Sequence, residues 1–269
     1  MAENQSESSV QNAGQILAEQ IEEAIRPLAN CVTAVLRVDE NNDVELVGSA
    51  VLIEVSGEVF FCTAKHVIDL CTTGVFVDAP LKNEALNGNF ITSKEHDLVL
   101  LKLSPEQVKL FAKYRPLGVH FVGNHVDASQ CKYAQFIGFP ETKNRKRHGQ
   151  IDTKGLIYSN GCSVTEVSVT KIRLAFERRH SVTTGSHEVL TAPHPHGMSG
   201  GGIFGVPVDL TALTHGFKPK LIGISTDWPK EGEVFGTNIA LVMAMIRDNY
   251  NVALPPGLNP THISTAKGP

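Results

Sequence analysis

A chain of 269 residues, of which 42% are hydrophobic and 19% charged, is long enough for one large domain or two small ones that share an interface. Its net charge of -4 creates no field that would attract nucleic acid or an anionic membrane, so neither is expected as a partner. No stretch approaches the roughly 18 apolar residues that a transmembrane helix needs.

The cysteines and the N-terminal residues indicate a reducing compartment. The chain has 5 cysteines, an odd number, and none has the CxxC spacing, so we expect free thiols. The start of the chain, MAENQSESSVQN, is polar and acidic and lacks the basic and apolar regions of a signal peptide. The expected localisation is therefore cytoplasmic. The cysteines are Cys31, Cys62, Cys71, Cys131 and Cys162.

After the polar tail, the sequence predicts an amphipathic helix. Apolar residues recur at helical spacing with acidic residues between them: Ile16, Leu17, Ile21 and Ile25. Pro27 ends this pattern, because the residue before a proline disfavours helical geometry. We expect the helix to pack on the surface of the domain.

From residue 31 onward the pattern changes to short, β-branched runs separated by turn signals, which is typical of strands. The first half contains CVTAVLRV, VELVGSAVLIEV, EVFFCTA, GVFVDA and DLVLLKL, and the second contains CKYAQFIGFP, SVTEVSVT, IRLAF, GGIFGV and KLIGIST. Helical spacing returns only in SPEQVKLFAKY and GTNIALVMAMIRDNY. Many short strands and few helices predict an all-β sandwich or a pair of barrels, not a parallel α/β sheet.

The stretch PHPHGMSGGGIFG places Ser199 among glycines. A nucleophilic serine needs a base that accepts its proton and donors that bind the oxyanion it creates. Gly197 lacks a Cβ and can therefore turn its N–H the same way as that of Ser199. The alternative is a flexible glycine loop that happens to contain a hydroxyl.

Two further motifs offer a base and the acid that would orient it. His66, in FFCTAKHVID, follows an apolar strand and could project from its rigid edge into a cleft. Asp97, in SKEHDLVLLKL, begins another apolar strand, where a half-buried carboxylate could hold an imidazole. The alternatives are a packed or solvated histidine and an ordinary turn residue at the start of a strand.

Taken together, TA-x-H, D-L-V-L-L and G-x-S-G-G resemble the motifs of the trypsin-like (chymotrypsin-fold) serine peptidases. Bacterial intracellular and HtrA-type members are nearest in style, here without a PDZ domain. The chain order His, Asp, Ser distinguishes this family from α/β-hydrolases and subtilisins. VGSAVLIE, QFIGFP, LIGIST and EVFGTNIALV also resemble strands of the family, so the resemblance covers roughly residues 30–250.

The resemblance implies two six-stranded antiparallel β-barrels with a cleft between them. Residues 1–29 would form the polar tail and the amphipathic helix. Residues 30–115 would form the first barrel, which carries the histidine and the aspartate. Residues 116–250 would form the second barrel, which carries the serine, and the C-terminal helix. Residues 251–269 would be a loose tail.

The resemblance also implies a serine endopeptidase, which hydrolyses a protein or peptide substrate through an acyl-enzyme and needs no cofactor or metal. Ser199 would attack the scissile carbonyl, His66 would accept and return the proton, and Asp97 would orient His66. The backbone N–H groups of Gly197 and Ser199 would form the oxyanion hole. The substrate would contact residues of the primary pocket and of the strand beside it: Pro193, His194, Ser225, Thr226 and Trp228.

The sequence also departs from the family. Met198 replaces the aspartate that, in secreted members, pairs with a new N-terminus after cleavage, so something else must hold or switch the turn. Val67 replaces the cysteine that follows the histidine in those members, in agreement with a reducing compartment. Pro193 at the floor of the primary pocket gives no source for a Lys or Arg preference, whereas His194 could favour an acidic or amide side chain.

Three other functions stay open. The protein could be a catalytically silent or latent binding module that a regulatory protein partner activates. His194 and His196, with His187, could bind a metal, although zinc needs a third or fourth ligand. The basic residues 143–149 could contact nucleic acid, but no aromatic residue interleaves them, and a solvated loop is favoured. The sequence leaves the oligomeric state open.

Overall fold

The computed structural model describes residues 19–41, 43–78, 83–141, 146–147, 150–151, 158–176, 181–182, 189–190, 192–207, 217–228 and 232–260. Across these residues the chain is a largely antiparallel β protein with two β units and few helices. Within the same ranges, no helix combines the length and the apolar character that crossing a membrane requires.

The first β unit is an eight-stranded sheet. Its strands are Val32–Val38 (β1), Val44–Val55 (β2), Glu58–Ala64 (β3), Val75–Asp78 (β4), Asn83–Leu86 (β5), Ile91–Ser93 (β6), Leu98–Lys102 (β7) and Leu117–Gly118 (β8). The strand order is β5-β4-β1-β2-β3-β7-β6, and β8 pairs in parallel with β2. The long strand β2 is buried on both faces over much of its length, which explains its nearly continuous apolar run.

The second β unit contains a closed barrel of six strands. The strands of this half are Cys131–Gly138 (β9), Lys146–Arg147 (β10), Gln150–Ile151 (β11), Tyr158–Val167 (β12), Lys171–Ala175 (β13), Ser181–Val182 (β14), Val189–Leu190 (β15), Gly202–Pro207 (β16), Lys220–Asp227 (β17) and Glu233–Asn238 (β18). The barrel runs β12-β13-β18-β17-β16-β9 and closes between β9 and β12. The pairs β10-β11 and β14-β15 are separate two-stranded sheets.

The expected all-β fold is confirmed, but only one of the two expected barrels is closed. In the described part of the first unit, the end strands β5 and β6 pair only with β4 and β7, so the sheet is a curled half-barrel. These end strands have 4 and 3 residues and therefore offer few backbone groups for a closing ladder.

Helices lie at the ends of the β units. They are α1 (residues 19–25), α2 (Lys65–Asp69), α3 (Pro105–Leu110), α4 (His125–Gln130) and α5 (Ile239–Tyr250). The described part of the predicted N-terminal helix buries Ile21 and Ile25 against the core. Asn238 caps α5, because its side-chain oxygen accepts a hydrogen bond from Ala240 N at 3.0 Å.

The first ten residues of the predicted loose tail, 251–260, are held against the protein. Ser56 Oγ donates to the backbone oxygen of Ala253 at 2.9 Å, and Asn124 Nδ2 donates to that of Gly257 at 3.1 Å. These side chains come from distant parts of the chain, so the sequence pattern of the tail could not reveal the contacts. Residues 1–18 and 261–269, the remaining predicted tails, lie outside the described residues.

One apolar cluster joins the two β units. It contains Val51 and Phe60 of the first sheet together with Phe204 and Ile224 of the barrel. Helix α5 belongs to the same cluster, and its residues 239–246 are all buried. Because apolar surface from both units is removed from water in one place, separating them would expose core residues of each.

All five cysteines are free and buried, as the sequence predicted. Burial raises the pKa of Cys62 and Cys131 to about 12 and that of Cys71 to about 11. The same desolvation raises the pKa of Cys31 and Cys162. Because the thiolate is the reactive form, these thiols are poor nucleophiles in the folded protein.

The shared cluster makes a prediction about stability. Phe204 is 0% exposed, so Phe204→Ala should lower the free energy of unfolding by about 3–5 kcal/mol, because the substitution leaves a cavity between the units. The matched control is Phe121→Ala. Phe121 is 36% exposed, so this substitution should lower the free energy of unfolding much less. Urea denaturation followed by circular dichroism would measure both. Equal losses in the two variants would contradict a shared core at Phe204.

Candidate active site

The pairing of β3 with β7 brings His66 and Asp97 together. The last pair of this ladder is Ala64 with Leu98, so the residues just beyond it on each strand face one another. Three hydrogen bonds join them: Lys65 N to Asp97 O at 3.0 Å, His66 N to Asp97 Oδ1 at 2.9 Å, and His66 Nδ1 to Asp97 Oδ2 at 2.7 Å. The carboxylate therefore fixes both the start of α2 and the imidazole ring.

Asp97 has a left-handed backbone, with a φ of 50°. Among residues other than glycine, aspartate and asparagine tolerate this conformation best, because their short polar side chains bond to nearby backbone. The turn before β7 supplies one contact, from Asp97 N to Lys94 O at 3.5 Å, and the three bonds to the α2 segment supply the others. The strained geometry is thus fixed from both sides, as is common at functional sites.

Asp97 also sets the protonation of His66. Because a carboxylate can only accept, Nδ1 of the ring carries the proton, and Nε2 is left as the acceptor. The hydrogen bond that His66 donates to Asp97 raises the pKa of His66 above its ordinary value, and burial opposes this effect. The negative charges of Asp97, Asp227 and Asp69 raise the pKa further.

His66 and Asp97 line a cleft of about 670 Å³. The opposite wall belongs to the barrel and includes Thr226 and Asp227 of β17 and Phe235 of β18. The cleft therefore lies between the two β units, and the histidine side chain, 45% exposed, is accessible from it.

The turn that contains Ser199 packs against the strand that leads to His66. Gly200 has a φ of +85°, and a Cβ at this position would collide with the backbone oxygen of Ser49 and with Thr63 Oγ1. It would also lie 3.1 Å from Ala64 N. Because Gly200 has no side chain, the turn can lie directly against the end of β3, two residues before His66.

Two N–H groups of this turn have no acceptor among the residues that the structure describes. Among the described residues, the N–H groups of Met198, Gly200 and Gly201 all donate to backbone oxygens, whereas those of Gly197 and Ser199 donate to none. Gly197, with a φ of +85°, also has a left-handed backbone. The turn thus presents two donors that are separated by one residue.

The carbonyl groups of the same peptides explain this orientation. His196 O accepts from Glu141 N at 2.7 Å, and Met198 O accepts from Ser225 Oγ at 2.8 Å. In a trans peptide the N–H points away from the C=O. The N–H groups of the two following residues are therefore directed away from these partners.

The described structure contains no hydrogen bond between Ser199 Oγ and His66, although the histidine is already bonded to Asp97. His66 and Asp97 thus line the cleft and are in hydrogen-bond contact, whereas Ser199 lies in the turn that packs against the end of β3. Catalytic hydrogen bonds are often long before substrate binds and shorten in the complex.

The predicted substrate-contacting residues fall into two groups. Thr226 lines the cleft, whereas the hydroxyl of Ser225, which is 4% exposed, is used to hold Met198 O. Pro193 is buried, and the half-buried His194 contacts Trp228 with ring centroids 4.3 Å apart. The two sides of the predicted primary pocket therefore touch each other.

The structure adds residues that the sequence did not indicate. Asp227 lies on the wall of the cleft, near enough to raise the pKa of His66. Ser49 bonds to the Ser199 turn from within β2. In the sequence, Ser49 is one small polar residue in an apolar strand, and Asp227 is one acid after a strand, so neither gives a local signal.

The alternative sites receive no support from the described residues. No group of three or more potential ligands is close enough for a metal in that part of the chain. The rings of His194 and His196 stack with centroids 4.2 Å apart and planes 12° apart. His187 lies outside the described residues, as do most of the basic residues 143–149.

Comparison with known proteins finds no family that matches this chain and no matching curated protein. The functional conclusion therefore depends on the geometry of this site and on the motifs that form it.

The site predicts a pKa change. Asp97→Asn should lower the pKa of His66, because Asp97 is the main cause of its upward shift. NMR titration of the imidazole C–H signals would measure it, with His66→Ala to assign the resonance. The matched control is Asp69→Asn, which removes a weaker contribution and should shift the pKa less. An unchanged pKa in Asp97→Asn would contradict the geometry.

The same shift gives the sign of a pH effect on stability. Folding raises the pKa of His66, so the pair with Asp97 contributes stability that is fully present below the unfolded-state pKa. This contribution is lost as pH rises through the folded-state pKa. The difference in unfolding free energy between wild type and Asp97→Asn should therefore shrink across this window.

Proposed function

We propose that the protein is a serine endopeptidase that hydrolyses peptide bonds through Ser199, His66 and Asp97. One observation carries the proposal: the Ser199 turn, with two unpaired backbone donors, packs against the strand end that bears a hydrogen-bonded His66–Asp97 pair. A nucleophile, a base with an orienting acid, and donors for an oxyanion are the parts that acyl transfer requires.

In the proposed mechanism Ser199 Oγ attacks the scissile carbonyl while His66 Nε2 accepts its proton. The carbonyl oxygen becomes an oxyanion, which accepts hydrogen bonds from the N–H groups of Gly197 and Ser199. His66 then donates the proton to the leaving amine, and the acyl-enzyme is hydrolysed by water. Since the base must be neutral, activity should rise with pH through the raised pKa of His66.

The arrangement of the two β units supports this assignment. We infer that the chain has the chymotrypsin-like architecture, in which the curled sheet corresponds to the first barrel. The base and the acid come from that sheet, and the nucleophile comes from the closed barrel. The substrate, a protein or peptide, would lie in the cleft between the units, along the edge that contains Thr226.

A latent or catalytically silent binding module is the second candidate. The missing hydrogen bond between Ser199 and His66 favours it, because a module without catalysis does not need that contact. A protein partner that binds near the cleft would then complete the site or use it only for recognition. The two candidates differ in whether Ser199 reacts with an active-site-directed phosphonate.

We predict that a fluorophosphonate probe labels the wild-type protein and that Ser199→Ala abolishes the labelling. His66→Ala should slow labelling strongly, because the serine loses its base. The matched control is Ser129→Ala, which removes an exposed helix hydroxyl that donates to Val126 O and should leave the rate unchanged. Gel fluorescence and mass spectrometry of the labelled peptide measure the outcome. An unlabelled wild type would favour the silent module.

The contact between His194 and Trp228 predicts a narrow primary pocket. Peptides with a small residue before the scissile bond should be cut fastest, since a larger side chain would have to separate the two rings. Trp228→Ala should raise kcat/KM for peptides with a large apolar residue by about tenfold or more relative to alanine peptides. Trp228→Phe, which keeps a ring, should preserve the wild-type order. A wild-type preference for basic residues would contradict this pocket.

A further inference from the structure

Ser49 connects the first sheet to the nucleophile turn through both its backbone and its side chain. Its N–H donates to Ser199 O at 2.8 Å, and its Oγ donates to Gly197 O at 2.8 Å. The same Oγ accepts from Phe139 N at 2.9 Å, and its backbone oxygen accepts from Thr63 Oγ1 at 2.6 Å. Ser49 is 0% exposed, and its bonds to Thr63 and Phe139 are fully buried.

The register of β2 explains why Ser49 is free to make these contacts. The ladder between β2 and β3 runs from the hairpin to the pair of Val51 with Cys62, and Ser49 lies beyond it. Its N–H can therefore bond across to the barrel. The strand thus places one hydroxyl between Phe139, at the end of β9, and Gly197, in the turn.

Ser49 fixes two of the peptides that surround the unpaired donors. It holds the peptide after Gly197 through Oγ and the peptide after Ser199 through its N–H. The one peptide between them is held by the barrel, because Met198 O accepts from Ser225 Oγ. Because neighbouring peptide planes share a Cα, rotation at Gly197 would require the Ser49 bond to break.

The residue before the nucleophile gives no polar anchor of its own. Met198 is 1% exposed and packs in the apolar core of the barrel, so its side chain forms no ion pair. A left-handed glycine turn without an anchor has several accessible conformations. The hydroxyl of Ser49 supplies the missing constraint from the other β unit.

We propose that Ser49 is a positioning residue that keeps the N–H groups of Gly197 and Ser199 in the geometry that binds the oxyanion. This inference rests on the proposed peptidase function. Ser49 does not touch the substrate, and it acts only through the turn. An anchor that comes from the first sheet also makes the oxyanion site dependent on the contact between the two β units.

The test compares Ser49→Ala with Thr33→Val. Both remove a hydroxyl that is 0% exposed from the first sheet, but only that of Ser49 reaches the turn. Ser49→Ala should lower kcat about tenfold or more with little change in KM, because the lost interaction supports the transition state. A peptide boronic acid, which forms a tetrahedral adduct, should lose affinity in parallel, while the pKa of His66 should stay unchanged.

Amide NMR separates this inference from the proposed function. In Ser49→Ala the amide signals of Gly197 and Ser199 should shift and broaden, and in Thr33→Val they should not. If wild type shows no activity but the Ser49 substitution still moves these two amides, the peptidase proposal fails and the positioning role stands. Unchanged amides together with unchanged kcat would overturn the positioning role.

A second variant covers the case in which Ser49→Ala fails to fold. Ser49→Cys keeps a side chain of similar size and replaces the hydroxyl by a thiol, which is a weak donor and acceptor. It should reproduce the loss of kcat and the amide changes in a folded protein. A folded Ser49→Cys variant with wild-type kcat and amide signals would likewise overturn the proposal.

Discussion

The backbone hydrogen bond from Ser49 N to Ser199 O is the contact on which the whole site depends, because it joins the two β units at the candidate nucleophile. His66 and Asp97 belong to one unit and Ser199 to the other, so their distance is set only by the packing between the units. Gly200 permits that approach, and the shared apolar cluster stabilises it over a larger area. The site is therefore a property of the interface and not of either unit alone.

The proposed acid–base pair and the proposed nucleophile differ in which of their hydrogen bonds are already formed. The pair of His66 and Asp97 has its hydrogen bonds already formed, and so does the backbone of the turn, where the N–H groups of Gly197 and Ser199 remain open. The side chain of Ser199 makes no hydrogen bond to His66 in the described structure. Two elements that the proposed peptidase mechanism requires, an oriented imidazole and N–H groups directed away from the barrel, are thus already ordered by folding.

Local patterns in the sequence predicted the all-β class and the free cysteines, because both depend on short runs of residues, whereas the pairing of His66 with Asp97 was implied by the family resemblance. Such patterns could not predict whether the first barrel closes, since closure depends on the pairing of short edge strands. Ser49 and the contact of His194 with Trp228 were beyond them for another reason. They join residues far apart in the chain, and a single sequence carries no record of which distant residues meet.

The buried cysteines provide a natural set of internal reporters. Their raised pKa values keep the reactive thiolate scarce while the chain is folded, so alkylation must follow local opening. They are distributed over both units: Cys62 lies in β3, next to the segment that bears His66, and Cys131 and Cys162 belong to the barrel. Comparing their modification rates would show whether the two units open together or one at a time, without introducing any substitution into the protein.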